Sequence, residues 1–202
     1  MIKKIKIVVP TLDSYLILPN LIKSLKNQTW DSWNLLFVDG DSSDKHYKYL
    51  KKSCIDDPRL KIIKQKYNYK GIYGAMNQGY ETIKDDEWIL FWGSDDWAMS
   101  ANVLENIVNK VNSYPDKFDL IVCKGRYVDK KSKRLSRISN FLNTRFSNIL
   151  DKQDFRGKLF LGMTPPHQST LFSKRAFLKL KAFSEDLILA SDLDYFLRFS
   201  EI

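Results

Sequence analysis

Cysteine is nearly missing from this chain: Cys54 and Cys123 are the only two among 202 residues. They lie too far apart to fit a metal-ligand spacing, and a reduced, cytoplasmic setting is the simplest account of them. Histidine is as scarce, at two residues. No Ser/His or Cys/His arrangement points to a covalent intermediate. No run approaches the ~20 apolar residues of a membrane span, and the apolar part of the start, Met1-Ile2-Lys3-Lys4-Ile5, is too short for a signal peptide. Glycine is absent from the turn after the first strand. Pro10-Thr11-Leu12-Asp13 stands there, where a dehydrogenase needs its glycine-rich turn. Internal repeats and low-complexity segments are also lacking.

What is present is an ordinary globular composition, 44% hydrophobic and 28% charged, with an unusual net charge of +9. That charge favours an anionic partner: a phosphorylated substrate, an acidic membrane surface or nucleic acid. Its densest stretch, Lys130-Lys131-Ser132-Lys133-Arg134 with Arg137 nearby, carries no interleaved aromatic platform for bases. Nucleic acid is therefore not the expected partner; the stretch reads as a solvated loop or a phosphate- or membrane-facing patch.

Apolar runs alternate with helical periodicity through the first half. Strands are expected at 5–9 (stopped by Pro10), 33–38, 60–65, 88–92 and 119–123. The helix after the first strand is expected to be capped by Asp13 or Ser14, with Pro19 in its first turn and Leu18, Leu21, Ile22 and Leu25 on one face. Further helices pass through Tyr47 and Leu50, through Tyr73, Met76, Tyr80 and Ile83, and through Leu104, Ile107, Val108 and Val111. From 127 to 158 the pattern breaks down into loop and helix. A short strand at 165–172, a helix near 175–180 and a last helix from about 190 follow. That helix has no glycine or proline stop before Ile202, so the natural chain is expected to continue. The whole reads as an α/β fold: a mostly parallel sheet flanked by helices on both faces.

In such sheets ligands sit beyond the carboxyl ends of the strands. Three polar loops fall at that edge, 11–14, 39–44 and 94–96. The last is the most informative. Ser94-Asp95-Asp96 follows the buried run Trp88-Ile89-Leu90-Phe91-Trp92 and Gly93. Adjacent carboxylates there fit either a solvated turn or a hard divalent cation, Mg²⁺ or Mn²⁺, carrying a diphosphate.

Five stretches together resemble the inverting family 2 glycosyltransferases, nucleotide-sugar enzymes of GT-A fold, and most of all the subgroup of bacterial exopolysaccharide, capsule and colanic-acid assembly. They are Ile7-Val8-Val9-Pro10-Thr11, Val38-Asp39-Gly40-Asp41-Ser42-Ser43-Asp44, Gly71-Ile72-Tyr73-Gly74-Ala75-Met76-Asn77-Gln78-Gly79, Gly93-Ser94-Asp95-Asp96 and Ala190-Ser191-Asp192-Leu193-Asp194. The resemblance implies one glycosyltransferase domain, 1–202, with a Rossmann-like nucleotide-sugar half (1–126) and an acceptor half (127–202). It implies transfer, with inversion, from a nucleoside-diphosphate sugar, with a lean toward uracil, to a hydroxyl of a saccharide or lipid-linked saccharide. Asp39 would contact the base and Thr11 the nucleotide, and Asp95 the ribose. Asp96 would be the direct ligand of the divalent metal that holds the diphosphate, and Asp192 would deprotonate the acceptor. His167 and Gln168 resemble a family pair beside the acceptor pocket. From the residues themselves, Lys70 and Lys66 could reach phosphate and Trp97 could stack on a sugar. Asp194 is expected to pair with Arg198 at i+4 instead of facing the site. Two positions depart from the subgroup: Tyr69 and Gly74 stand where it carries aspartates. A nucleotidyltransferase on a similar sheet, or a basic module for nucleic acid or anionic lipid, are the alternatives. The charge and the absent span also raise peripheral attachment to the inner face of an anionic membrane.

Overall fold

The structure, a computed structural model, describes residues 1–114, 118–129, 135–139, 141 and 149–202. The chain alternates strand and helix: β1 (Lys4–Thr11), α1 (Leu18–Lys26), β2 (Trp33–Asp39), α2 (Asp44–Asp56), β3 (Leu60–Lys64), α3 (Gly71–Tyr80), β4 (Glu87–Phe91) and α4 (Val103–Asn112). Then come β5 (Leu120–Val122), β6 (Arg126–Val128), β7 (Leu135–Ile138), α5 (Lys152–Phe160), β8 (Thr170–Ser173), α6 (Lys174–Leu180) and α7 (Ser191–Phe199). Six strands form one sheet in the order β3-β2-β1-β4-β8-β5, and β6 and β7 form a separate hairpin. The first four are mutually parallel, while β8 runs antiparallel to both β4 and β5.

Strands buried on both faces are apolar at most positions, and β1 shows the division, with Lys6 the buried exception, paired with Glu87 at 2.7 Å. Ile5, Ile7 and Val9 face a core with Leu18, Leu21 and Leu25 of α1, Leu50 of α2 and Leu104 and Val108 of α4. Val8 faces the opposite core, with Ala75, Met76 and Tyr80 of α3, Phe155 of α5 and Tyr195 and Phe196 of α7. On that side α3 lies so close that a Cβ on Gly79 would come within 2.4 Å of a Val8 methyl. Only glycine fits there.

Several expected boundaries shift. β1 continues through Pro10 to Thr11. The β1–β4 ladder ends at Val8↔Phe91, whereas β2 accompanies β1 to Thr11↔Asp39. Val8 offers its carbonyl to Trp92 N–H, so Pro10, two residues on, turns its missing donor to the same side, past the ladder. α1 is preceded by Ile17, not capped by Asp13 or Ser14; the Asp13 carboxylate instead accepts from Ser43. The expected strand at 165–172 begins with a 3-10 turn at His167–Ser169. The irregular stretch holds β6, β7 and α5. The last helix closes at Phe199, where Ser200 Oγ bonds back to the Leu197 carbonyl. The basic stretch Lys130–Arg134 and the Arg137 side chain lie outside the described residues.

Candidate active site

From β1 the chain passes to β2 and β3 on one side and to β4 on the other. The crevice for a ligand thus opens at the carboxyl ends of β1 and β4. Three loops meet there and are stitched by hydroxyl and carboxylate bonds. Ser94 Oγ donates to Ser14 Oγ at 2.9 Å, joining the loops after β4 and β1. Asp13, at φ 46°, accepts from Ser43 N and Oγ (3.0 and 2.6 Å) and takes Ser42 Oγ on its own N–H (3.0 Å), joining the loops after β1 and β2. Those donors hold the Asp13 carboxyl below its ordinary range.

Asp39 ends β2 with 1% of its surface exposed. Its Oδ1 accepts from Ser42 Oγ at 2.6 Å and Thr11 Oγ1 at 3.3 Å, and its Oδ2 from Ser42 N at 3.3 Å. Thr11 and Asp39, distant in sequence, are thereby one unit. Past β4, Gly93 N–H donates to Asp96 Oδ2 at 2.6 Å. A Cβ on Gly93 would stand 3.0 Å from Asp95 Oδ1 and 3.3 Å from Asp96 Oδ2, so the glycine leaves the hollow into which both carboxylates fold. Adjacent hard oxygen donors suit Mg²⁺ or Mn²⁺, which take their other ligands from phosphate and water. Among the described residues no three His, Cys, Asp or Glu side chains gather as a metal cage. The residues therefore fit a cation shared with a diphosphate, not one held by protein alone. Trp97 is 45% exposed beside them. Lys66 and Lys70 are both exposed.

The second carboxylate group is built from α3, the loop 181–190 and α7. Asn77, 2% exposed, donates Nδ2 to Phe183 O and to Glu185 Oε1 (both 2.9 Å) and accepts Phe183 N–H at 2.8 Å. Glu185 in turn accepts Lys70 N–H at 2.7 Å. That clasp leads the chain to Ala190, at φ 63°, from which α7 starts. Asp192 lies in its first turn, and its Oδ1 accepts Tyr73 OH at 3.3 Å and Leu193 N at 3.0 Å. Asp194 points elsewhere and binds Arg198 at 2.9 Å, as expected. Arg198 also donates to Leu180 O and Ala182 O, tying α7 to the clasp.

His167 lies under Asp192, 6% exposed and stacked on Phe91 at 5.5 Å. Burial among Phe91, Phe172, Phe183 and Phe196 pushes its pKa down to about 4, against the opposing pull of the Asp192 charge. It is therefore a neutral imidazole at pH 7, with Nε2 buried and without a hydrogen-bond partner among the described residues. Gln168 is exposed, and its carbonyl accepts Trp92 Nε1–H at 2.9 Å. Trp92 is core, as expected.

The two departures touch one another. A Cβ on Gly74 would fall 2.7 Å from the Tyr69 carbonyl carbon and 3.1 Å from Glu185 Oε2. Asn77, Glu185, Tyr73, Ser42 and His46 were not among the residues expected to form the site. Asn77 and Tyr73 lie inside a motif stretch and Ser42 in a polar loop, but nothing in one sequence marks which partner each finds across the fold.

A mostly parallel sheet covered on both faces, with stitched acidic loops at its switch point, defines a GT-A type nucleotide-binding fold. The profile described as Glycosyl transferase family 2 matches residues 6–181. The chain belongs to that family. It is 26% identical over 186 residues to a Campylobacter jejuni GalNAc(5)-diNAcBac-PP-undecaprenol beta-1,3-glucosyltransferase, covering 91% of this chain and 55% of that one. The chain thus spans about half the length of that relative. Its fold matches that of S. aureus TarS 1-349 in complex with UDP-GlcNAc at a TM-score of 0.72, with 19% identity over 96% of this chain and 52% of that one. It also matches the mannosyltransferase PcManGT of Pyrobaculum calidifontis, in complex with GDP-Man and Mn²⁺, at 0.62, with 14% identity over 93% and 49%.

Proposed function

We propose that the protein moves a sugar from a nucleoside-diphosphate sugar, UDP-linked, to a hydroxyl of a saccharide or lipid-linked saccharide, inverting the anomeric centre. The observation that supports this is a pair of carboxylate groups on separate elements: Asp39, Asp95 and Asp96 past the ends of β2 and β4, and Asp192 of α7 beside Tyr73 and His167. The donor's base would lie against Asp39 and Thr11, its ribose against Asp95, and its diphosphate toward Asp96 and Lys70. A bound Mg²⁺ or Mn²⁺ supplies Lewis-acid stabilisation of charge on the departing diphosphate. TarS and PcManGT, whose solved complexes hold UDP-GlcNAc, and GDP-Man with Mn²⁺, support that pairing of ligand classes.

A sugar hydroxyl is a poor nucleophile and needs a base within hydrogen-bond reach. Asp192 is that base. Both of its hydrogen bonds fall on Oδ1, so among the described residues Oδ2 is left to receive the proton. Tyr73 and Leu193 N–H hold the carboxylate in orientation. The neutral His167 beneath it sets no positive charge against Asp192. Trp97, His167 and Gln168 would flank the acceptor. The undecaprenol-linked acceptor named for the Campylobacter relative supports a lipid-linked one here. No helix among the described residues is long and apolar enough to cross a membrane, and the net charge of +9 supports attachment to anionic headgroups.

Calorimetry with UDP, with and without Mn²⁺, tests the donor side. Wild type is expected to bind UDP more tightly with the metal, and Asp96→Asn to lose most of that gain while remaining folded. Equal metal dependence in the variant would remove Asp96 from its role. Release of pyrophosphate from a nucleoside triphosphate, in place of nucleoside diphosphate from a sugar donor, would favour a nucleotidyltransferase.

A further inference from the structure

His46, in the first turn of α2, is fully buried, and neither ring nitrogen closes a hydrogen bond among the described residues. An unmet buried donor or acceptor is costly, so such groups call for an explanation. Its Nε2 stands 3.4 Å from Oδ1 of Asp39. The other groups facing the ring are the Asp13 carboxylate and the edge of Tyr15, whose outer face carries Lys45. Burial lowers the pKa of His46 more than Asp39 and Asp13 raise it, so the ring is neutral at pH 7. A neutral imidazole carries one N–H, and the nearby carboxylate favours that proton on Nε2 over Nδ1.

We infer that His46 is a positioning residue for the nucleobase: its Nε2–H is a reserve donor that closes on Asp39 Oδ1 when a base engages Oδ2. The inference rests on the donor-site reading of Asp39 given above. Oδ1 is already approached by Ser42 Oγ, Thr11 Oγ1 and His46, whereas among the described residues Oδ2 receives only the 3.3 Å contact from Ser42 N. The crowded oxygen anchors the carboxylate and the other is presented to ligand. A carboxylate only accepts, so it selects a base whose ring nitrogen carries a proton, as in uracil, over cytosine, whose ring nitrogen is itself an acceptor. Fixing the rotation of Asp39 fixes the plane in which that proton is read. His46 thereby acts on base discrimination through Asp39, without touching the ligand.

The test compares wild type, His46→Gln and His46→Leu by calorimetry with UDP and CDP in Mn²⁺, together with ¹⁵N NMR of the imidazoles in wild type. Glutamine can place an amide N–H near the position of Nε2; leucine fills the space without a donor. His46→Leu is expected to weaken UDP binding about tenfold, the scale of one hydrogen bond to a charged group, and to narrow the preference for UDP over CDP. His46→Gln should stay within about threefold of wild type by the same measure. The wild-type ring should be protonated on Nε2, and that proton should shift downfield when UDP is added. Unchanged UDP affinity and UDP/CDP ratio in His46→Leu would overturn the inference, as would equal losses in both variants or a ring protonated on Nδ1. If neither variant folds, the ring tautomer and its response to UDP decide alone. Wild type that binds neither nucleotide would overturn the donor-site reading, and this inference with it.

Discussion

Asn77→Ala removes the amide that clasps the loop 181–190 to α3. Three bonds go: Phe183 N–H at 2.8 Å, Phe183 O at 2.9 Å and Glu185 Oε1 at 2.9 Å. Phe183 is itself buried, so its N–H and C=O lose the one partner they have among the described residues, in a place that water reaches poorly. Each such unmet group costs about 1–3 kcal/mol, and the two together about 2–6 kcal/mol. That is a large part of the ~5–15 kcal/mol that holds a domain folded. In a domain of this size it corresponds to a fall in Tm of about 4–24 °C, at roughly 2–4 °C per kcal/mol. Denaturant titration measures the loss, and hydrogen exchange at Phe183 locates it. Because Arg198 and Ala190 tie the same loop to α7, turnover should fall about tenfold or more through misplacement of Asp192. Asn77→Asp should be worse than alanine near neutral pH, since it sets a carboxylate against Glu185 and a carbonyl. An Asn77→Ala protein that unfolds at the wild-type midpoint would refute the reasoning.

Asp192→Asn should bind UDP normally and lose about 10²–10⁴-fold in turnover, the scale of a positioned general base; Asp194→Asn should change stability more than rate, and the reverse outcome would move the base to Asp194. Stability should fall as pH drops from about 6.5 toward 4. Over that window the unfolded chain protonates His167 while the folded one resists, a linkage of roughly 3 kcal/mol that is absent above the unfolded pKa. His167→Phe should flatten that part of the denaturation-versus-pH curve. Liposome flotation should show binding to anionic vesicles at low salt and release as salt rises; no flotation at low salt would count against membrane attachment.

The parallel half was legible because both faces of its strands are buried, which writes a continuous apolar run into β1, β2 and β4. The helices α1 and α4 were legible from their one apolar face. Pro10 misled, because whether a strand tolerates proline depends on which side its neighbours occupy, and that is a property of the sheet. The antiparallel course of β8 was not readable: the segment around Thr170 has the same composition either way. Within the site, the loops holding Thr11, Asp39, Asp95 and Asp96 followed from the rule for strand ends. The contacts that orient them did not. Tyr73 with Asp192 and Asn77 with Phe183 span more than 100 residues, and His46 looked like any polar residue of a helix start.

The placement of β8 also has a consequence for synthesis on the ribosome. The strands β1 to β4 are complete once residue 91 has emerged, but the free edge of β4 is covered only by Thr170–Ser173. β5 cannot shield it, since in the sheet it pairs with β8 alone. The nascent chain therefore carries a bare apolar edge for about 80 residues, or about 4–16 s at ordinary elongation rates. An open edge of that kind recruits other strands. Slow codons between 91 and 170, or a stop placed there, should send the chain toward aggregates well before any residue of α7 is made.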